Sequence, residues 1–153
     1  MTKALLIGCI LLTGCATGYQ SGKFSLTGGY FEQPINGDLQ KVVFYANGYT
    51  GIDTATRYAL FRCAEVASEK KKPYFIMYPS LNAAALDRPS RRPNSGIVGM
   101  KPAAFAFLAL SDVAVPGATE TSKVMSELEQ FRAEYREAMA AKGSSKKKTT
   151  PNN

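Results

Sequence analysis

The sequence predicts one small α+β domain, in which an antiparallel or mixed sheet of about three to four strands is packed by two helices. Short runs of β-branched and aromatic residues at 41–46 and 73–79 have the composition of strands. Apolar residues recur at helical spacing at 54–71 and again at 119–139. The chain has 153 residues, which is about the size of a single domain.

The amino terminus has the composition of an export signal. Lys3 supplies a positive charge, and residues 4–12 form an apolar run that is shorter than the roughly 20 residues of a membrane-spanning helix. The sequence LTGC at residues 12–15 then resembles the lipobox of bacterial lipoproteins. The alternatives are an ordinary secretory signal with a chance cysteine and a buried amino-terminal strand.

The lipobox resemblance implies that residues 1–14 are a signal peptide and that Cys15 carries lipid. It implies diacylglyceryl transfer to the Cys15 sulphur, cleavage before that residue and acylation of the new amino terminus. Two or more acyl chains suffice for stable membrane anchoring. In a Gram-negative host, Ala16 rather than Asp after the cysteine implies an outer-membrane lipoprotein that faces the periplasm.

The composition excludes several chemistries. The chain has no histidine, which removes every His-dependent triad and every histidine-ligated zinc site. Cys63 is the only thiol left once Cys9 leaves with the signal and Cys15 is acylated, and its helical neighbours predict a buried, inert side chain. No spacing points to catalysis by other groups, so we expect neither an enzyme nor a cofactor or metal. Without Lys3, 19 − 1 = 18 basic residues against 12 acidic ones leave a net charge of +6.

Both ends of the mature chain are predicted to lie outside the folded domain. Residues 15–29 are rich in Gly, Ser and Thr, which is typical of a flexible tether between lipid and domain. We therefore place the domain at residues 30–142. Residues 143–153 include the run SSKKKTTPNN without an apolar side chain, and predict a disordered basic tail. The tail either lies on anionic lipid or polysaccharide or keeps the carboxyl end soluble.

A strand, a helix and a second strand follow one another in the first half of the domain. KVVFYA at 41–46 is followed by the turn residues Asn47-Gly48, and Thr50 or Asp53 is positioned to cap the helix. The helix ends at the next proline, and PYFIMYP at 73–79 predicts a buried strand. This succession predicts a βαβ-like or split unit with one helix across a sheet.

Residues 80–102 carry prolines, glycines and three arginines without clear periodicity, and they predict a long loop. The arginines are Arg88, Arg91 and Arg92. They are the candidate contact for an anionic ligand or surface, and a solvated insertion is the alternative interpretation.

Two further segments complete the predicted domain. AAFAFLAL at 103–110 suits either a third strand or a helix. After a turn at Pro116-Gly117, an apolar stripe predicts a helix that docks on the sheet, begins at Thr119 or Thr121 and ends at Gly143. The stripe consists of Val124, Leu128, Phe131 and Tyr135.

The segments GGYFEQ, VVFYANGYT and ALFRCAEVASEKKKPYFIMY together resemble a group of small uncharacterised bacterial lipoproteins, over about residues 28–79. Many members have Gly where this chain has Lys72-Pro73, so the turn before the last strand differs. The resemblance implies class and location but no activity. Arg62 and Glu65, three apart on one helix, form either a helix-surface ion pair or part of a ligand site. The matching positions are Asn47, Gly48, Tyr49, Thr50, Arg62, Ala64 and Glu65.

These observations favour a membrane-anchored envelope lipoprotein with a non-enzymatic structural, assembly or sensing role, exerted through contacts with an envelope protein. The alternative is a periplasmic binding module for an anionic cell-wall or lipid ligand. A nucleic-acid partner is disfavoured because an exported, lipid-anchored chain rarely meets one.

Overall fold

The computed structural model describes residues 18–22 and 28–147, with side chains as far as residue 137. It has the α+β class that the sequence predicts, with three helices and six strands in the described ranges. In chain order the elements are β1 (Gly29–Asn36), β2 (Leu39–Tyr45), α1 (Ile52–Glu69), β3 (Tyr74–Tyr78), α2 (Leu81–Ala85), β4 (Asn94–Val98), β5 (Lys101–Ser111), β6 (Thr119–Glu120) and α3 (Thr121–Lys147).

The six strands form one antiparallel sheet in the order β1-β2-β5-β3-β6, with β4 also paired to β5. The prediction of about three to four strands was therefore too low. β1 was missed because its second half is largely exposed and contains Pro34. β4 lies in the segment whose prolines and glycines made it look like a loop, and β6 has only two residues.

β5 is the central strand of the sheet. It pairs along one edge with β2, from Gln40↔Leu108 to Tyr45↔Ala103. Its other edge is shared, because β4 pairs with its first half and β3 with its second half. Residues 103–110 are thus strand and not helix. β5 lies between β2 and β3 and is antiparallel to both, so β2 and β3 are parallel to each other. The unit of β2, α1 and β3 is therefore the predicted βαβ-like unit in its split form, with another strand between its two strands.

α1 and α3 pack on one face of the sheet. α1 lies on β5 and β2, and α3 packs mainly against α1. Small buried residues on both sides, Ala55 and Ala59 in α1 and Ala104 and Ala106 in β5, let helix and strand approach closely. Cys63 is fully buried, as its sequence context predicts. The largest fully buried side chains are Phe44, Phe61, Phe75, Met77, Leu108 and Leu128.

The start of α1 differs from the predicted one. Gly51 precedes the helix in an extended conformation and no side chain caps it, so the predicted caps Thr50 and Asp53 were wrong. The Thr50 hydroxyl instead donates to Asn47 Oδ1 at 3.1 Å, and the Tyr49 N–H donates to the same oxygen at 3.1 Å. Asn47 therefore stabilises the turn before the helix.

α3 is longer than its sequence suggests. It starts at Thr121, one of the two predicted starts, where the backbone N–H donates to the Pro73 carbonyl at 2.9 Å and the hydroxyl to the Lys72 carbonyl at 2.8 Å. The backbone stays helical through Gly143 as far as Lys147. A glycine costs a helix interior about 1 kcal/mol but does not end it. The rest of the predicted tail lies outside the described residues.

The segment 80–102 is more ordered than the predicted loop. Ser80 caps α2 by accepting the Ala83 N–H at 3.0 Å. Further on, the Ser90 N–H donates to the Met77 carbonyl at 2.7 Å, which holds the connection beside β3. β4 then forms a hairpin with β5.

Candidate functional site

Residues 18–22, here called the stem, lie against the domain. The Gly22 N–H donates to the Tyr30 carbonyl at 2.7 Å, and the Tyr30 N–H donates to the Gln20 carbonyl at 2.9 Å. Ser21 thus lies parallel to Tyr30 at the outer edge of β1. This part of the predicted tether is fastened to the sheet, whereas residues 15–17 and 23–27 lie outside the described residues.

Two glycines let the stem approach β1 this closely. A Cβ atom on Gly29 would lie 2.5 Å from the Gln20 carbonyl oxygen and 2.6 Å from the Gly22 nitrogen. A Cβ atom on Gly22 would lie 2.8 Å from the Gly29 carbonyl carbon. Gly29 also has a φ of +141°, which side chains other than glycine rarely adopt. The docked stem therefore requires glycine at both positions.

Tyr19 ties the stem to the helical layer. Its ring centroid lies 5.0 Å from that of Tyr30, 5.3 Å from that of Tyr58 and 6.1 Å from that of Phe61. Its hydroxyl donates a hydrogen bond to Glu65. Burial, together with the hydrogen bond to Glu65 and its charge, raises the pKa of Tyr19 far above its usual value of 10.0. The hydroxyl therefore stays protonated and able to donate throughout the physiological pH range.

Glu65 is the centre of an ionic network. Its carboxylate accepts from Arg62 Nη1 at 3.1 Å and from Arg132 Nη2 at 2.6 Å, and Arg62 also binds Glu32 of β1 and Glu69. The side chains of Arg62 and Glu65 are only 13% and 12% exposed. Burial disfavours the charge of Arg62, but its hydrogen bonds to the three glutamates outweigh this and raise the pKa of Arg62 above its usual value. Removing one partner would therefore leave a poorly solvated charge.

A cavity of about 450 Å³ opens beside Tyr19, bordered by the stem, β1, α1 and α3. Its lining includes Tyr19, Tyr58 and Tyr135 and the arginines Arg132 and Arg136. The guanidinium carbon of Arg132 lies 5.8 Å from the Tyr19 ring centroid. Arg136 is exposed and makes no ion pair with any residue of the described side chains. Such a lining can hold a ligand with an apolar or ring-shaped body and an anionic group.

The three arginines that the sequence singles out lie elsewhere, on the exposed connection between α2 and β4. Arg88, Arg91 and Arg92 form no ion pair within the part of the chain whose side chains are described. Arg91 borders a second cavity of about 340 Å³ together with Glu120 and Glu127. Lys123 lines the cavity too, so its positive and negative charges balance. The anion contact of this loop stays a prediction.

The sequence predicts one ion pair of this ionic network but not the contacts of Glu65 with Tyr19 and Arg132. The ion pair of Arg62 and Glu65 is confirmed, although it lies at a partly buried position and not on a free helix surface. Tyr19 and Arg132 were missed because they lie 46 and 67 residues from Glu65 along the chain. The stem sequence GYQSG, a tyrosine among small and polar residues, was the available signal for a docked segment.

The described residues show no arrangement for metal binding or thiol chemistry. No group of three or more His, Cys, Asp or Glu in this part of the chain could hold a metal ion. Burial raises the pKa of the Cys63 thiol well above its usual value of 9.0, which keeps it in the unreactive neutral form. None of the described helices is both long enough and apolar enough to cross a membrane. Cys15, the predicted lipid attachment site, lies outside the described residues.

No protein-family model, curated protein or solved structure matches this chain.

Proposed function

We propose that this protein is a membrane-anchored envelope lipoprotein with a non-enzymatic structural, assembly or sensing role, exerted through contacts with another envelope protein. Acyl chains on Cys15 hold it in the outer membrane, facing the periplasm. The observation that carries the proposal is the docked stem. Tyr19, four residues after Cys15 in the sequence, is fastened to α1 by its hydrogen bond to Glu65.

The docked stem makes an anchor on Cys15 effective at positioning the domain. Four residues span at most about 14 Å. Lipid on Cys15 therefore keeps Tyr19 within that distance of the bilayer surface and holds the part of α1 that Tyr19 contacts nearby. A long flexible linker would let the domain move away from the membrane. The lipobox-like residues 12–15 and the resemblance to small bacterial lipoproteins support the same location.

The sheet face opposite α1 and α3 supports a role in protein contacts. Its side chains alternate along the strands with those of the core. Phe31 and Tyr45 stack there with ring centroids 5.7 Å apart, and Tyr45 is 40% exposed. Lys41 Nζ lies 4.7 Å from the ring centroid of Phe105 on the same face. Aromatic residues are enriched in protein interfaces, so this face is the candidate contact surface.

Membrane anchoring is tested by intact mass and membrane fractionation of the wild type and Cys15→Ala, expressed in a Gram-negative host. We expect the wild type to carry diacylglycerol and fatty acid on Cys15 and to sediment with the outer membrane. Cys15→Ala should do neither. A wild type that is cleaved, unacylated and soluble would contradict the proposal.

The protein contact is tested by placing a photo-crosslinking amino acid at Tyr45 in intact cells. The matched control is the same substitution at Lys123, which is exposed on α3. We expect one envelope protein to be crosslinked from position 45 and not from position 123. Absence of any crosslinked protein from position 45, and from Phe105 on the same face, would count against a role through protein contacts.

A second candidate function, binding of an anionic cell-wall or lipid ligand, is favoured by the cavity beside Tyr19. Arg136 supplies a cation there that pairs with no described carboxylate, and the tyrosine rings supply the apolar wall. Arg136→Gln should weaken binding of a soluble cell-wall fragment or of anionic lipid by about tenfold, the value of one charge-assisted hydrogen bond. Arg57→Gln, at an exposed position of α1, is the control.

The same binding measurement distinguishes a ligand site in this cavity from a ligand site at the loop arginines. Replacement of Arg88, Arg91 and Arg92 by glutamine leaves binding unchanged if the ligand occupies the cavity. Loss of binding only in that triple variant would assign the site to the loop. No binding by the wild-type protein would eliminate this candidate function.

A further inference from the structure

The hairpin that joins β4 to β5 exposes apolar side chains at its tip, residues 97–101. Val98 pairs with Lys101, and Gly99 and Met100 form the turn with φ values of +56° and +64°. Met100 is 91% exposed and Val98 is 54% exposed. Turns of this geometry favour Asn, Asp and Gly, because positive φ strains other residues. Met100 therefore has a strained backbone conformation, although its side chain makes almost no contact with the domain.

The tip lies at the end of the sheet where β1 begins. Tyr45, the last residue of β2, pairs with Gly29 on one side and with Ala103 on the other. The Ala46 N–H donates to the Pro102 carbonyl at 2.9 Å, next to the base of the hairpin. Neighbouring strands are about 4.8 Å apart, so the start of β1 and the base of the hairpin are about 10 Å apart.

The stem reaches the domain from the same end. Ser21 lies parallel to Tyr30, the second residue of β1, so the chain before Ser21 extends toward and past the beginning of that strand. Gly18 borders the cavity together with Tyr135 and Arg136 of α3. Three residues lead from Gly18 back to Cys15, a span of at most about 11 Å.

α3 points toward this end as well. It begins beside Pro73, at the opposite end of the sheet, where the Thr121 N–H meets the Pro73 carbonyl. It then runs back along α1, since Arg132 binds Glu65. Ten residues after Thr121, the Phe131 ring packs 5.4 Å from that of Tyr58, nearer to the start of α1.

The carboxyl end of α3 projects beyond the start of α1. Both lengths are measured from the contact between Tyr58 and Phe131. From Tyr58 back to Ile52, the first residue of α1, the helix is about 9 Å long. From Phe131 to Lys147, α3 is about 24 Å long. The projecting part of the helix therefore extends about 15 Å further. In the sequence this stretch carries Lys142, Lys146 and Lys147.

We propose that this end of the molecule faces the bilayer that holds the anchor, and that Val98 and Met100 at the hairpin tip insert into the lipid interface. The proposal rests on the proposed anchoring at Cys15. The occupant of the apolar tip is anionic lipid because an acylated Cys15 lies within about 11 Å of Gly18 and because Lys101 lies beside Met100 in the hairpin. Lys101 is exposed and suits an anionic headgroup.

The test uses the absence of tryptophan from the chain. Met100→Trp therefore supplies a single fluorescent reporter at the tip. The mature acylated protein is reconstituted into vesicles of neutral and anionic phospholipid, with or without brominated acyl chains. We expect the Met100→Trp emission to shift to shorter wavelength and to lose most of its intensity in brominated vesicles.

The matched control is Val113→Trp, an apolar position that is 62% exposed and follows the other end of β5. Its emission should stay that of a tryptophan in water and should not be quenched. Equal quenching of the two reporters, or quenching of neither, would overturn the proposal. Emission at position 100 that responds to an added envelope protein but not to lipid would overturn it too, by assigning the tip to a protein contact.

Intact mass of the same samples separates this inference from the proposed function. If the protein is acylated but the emission of Met100→Trp is not quenched, the proposal that the tip inserts into lipid is overturned, whereas the proposed anchoring at Cys15 is not. Missing acyl chains overturn the anchoring, and the tip is then tested on the full-length Cys15→Ala chain. There, Met100→Asp should weaken binding to anionic vesicles by about tenfold, because a charge replaces an apolar group at the lipid. Val113→Asp should not, and equal effects of the two would overturn the proposal.

Discussion

The hydroxyl of Tyr19 donates a hydrogen bond to the carboxylate of Glu65, which lies 46 residues further along the chain. The same carboxylate accepts from Arg132 of α3 at 2.6 Å and from Arg62 of α1 at 3.1 Å. Three distant parts of the chain therefore meet at one side chain. The described segment nearest to Cys15 is, for this reason, part of the framework that holds the helices together.

Replacing Glu65 should destabilise the domain because it leaves Arg62 and Arg132 without their shared partner. We expect Glu65→Ala to lower the free energy of unfolding by about 3 kcal/mol, measured by urea denaturation. Tyr19→Phe, which removes one hydrogen bond to a charged acceptor, should lower it by about 1.5 kcal/mol. Glu129→Ala is the control, because Glu129 pairs with Arg132 but is 61% exposed, and it should cost under about 1 kcal/mol. Equal losses for Glu65→Ala and Glu129→Ala would contradict a special role for the buried carboxylate.

A methyl group on Gly29 should release the stem from β1. Gly29→Ala places a Cβ atom where the stem backbone lies, and its φ of +141° adds strain. We expect chymotrypsin to cleave after Tyr19 much faster in this variant than in the wild type, because cleavage requires an undocked stem. Gly48→Ala is the control, since a Cβ atom there would meet nothing within 4 Å. Identical cleavage rates in the two variants would mean that the stem does not depend on this close approach.

The Cys63 thiol should react only when the domain unfolds. It is fully buried, and burial raises the pKa of this thiol above its usual value, so both access and thiolate are lacking. In a chain that carries both Cys9→Ala and Cys15→Ala, Cys63 is the sole thiol. A thiol reagent should label it rapidly in concentrated urea and hardly at all without urea. A cysteine at the exposed Ser68, in a Cys63→Ala background, should react rapidly in both conditions. Fast labelling of Cys63 in the folded protein would show that α1 opens readily.

Alkaline pH should weaken the fold partly through Tyr78. Burial and the 2.8 Å hydrogen bond to Asp87 raise the pKa of Tyr78 to about 12. The unfolded chain loses this proton near pH 10 while the folded domain still holds it, so the free energy of unfolding falls as the pH rises from about 10 to 12. Tyr78→Phe cannot ionise and should show a shallower fall in urea denaturation over this range.

Tyr49→Phe provides the comparison for that pH dependence. Tyr49 is 70% exposed, so its hydroxyl is open to water in the folded domain as in the unfolded chain. This variant should keep the slope of the wild type. A slope for Tyr78→Phe that equals the slope for Tyr49→Phe would rule out the contribution of the Tyr78 hydroxyl.

The parts of the fold that the sequence predicts are those with a local pattern. β2, β3, α1 and α3 each carry an apolar run or a helical stripe, and their existence could be deduced from a few neighbouring residues. β1 and β4 depend on pairing with β2 and β5, respectively, and their own residues are largely polar or exposed. The caps of α1 could not be deduced because the Thr50 side chain is engaged by Asn47, three residues earlier.

The candidate site follows the same division. Arg62 and Glu65 are three apart on one helix, and their ion pair could be predicted from spacing alone. Arg132 and Tyr19 reach Glu65 only after α3 has folded back on α1 and the stem has docked on β1. A cavity formed by those parts has no signature in any one stretch of sequence, and it was not predicted.

The docked stem also limits how far this protein can reach. A folded chain of about 120 residues is roughly 35 Å across, and the span from Cys15 to Gly18 adds at most about 11 Å. On a chain acylated at Cys15, every described surface then stays within roughly 50 Å of the lipid. Partners of a chain anchored in this way would have to come to the membrane or be attached to it themselves. Two attached proteins meet by lateral diffusion in one plane, where confinement raises their effective concentration and a weak contact suffices for association.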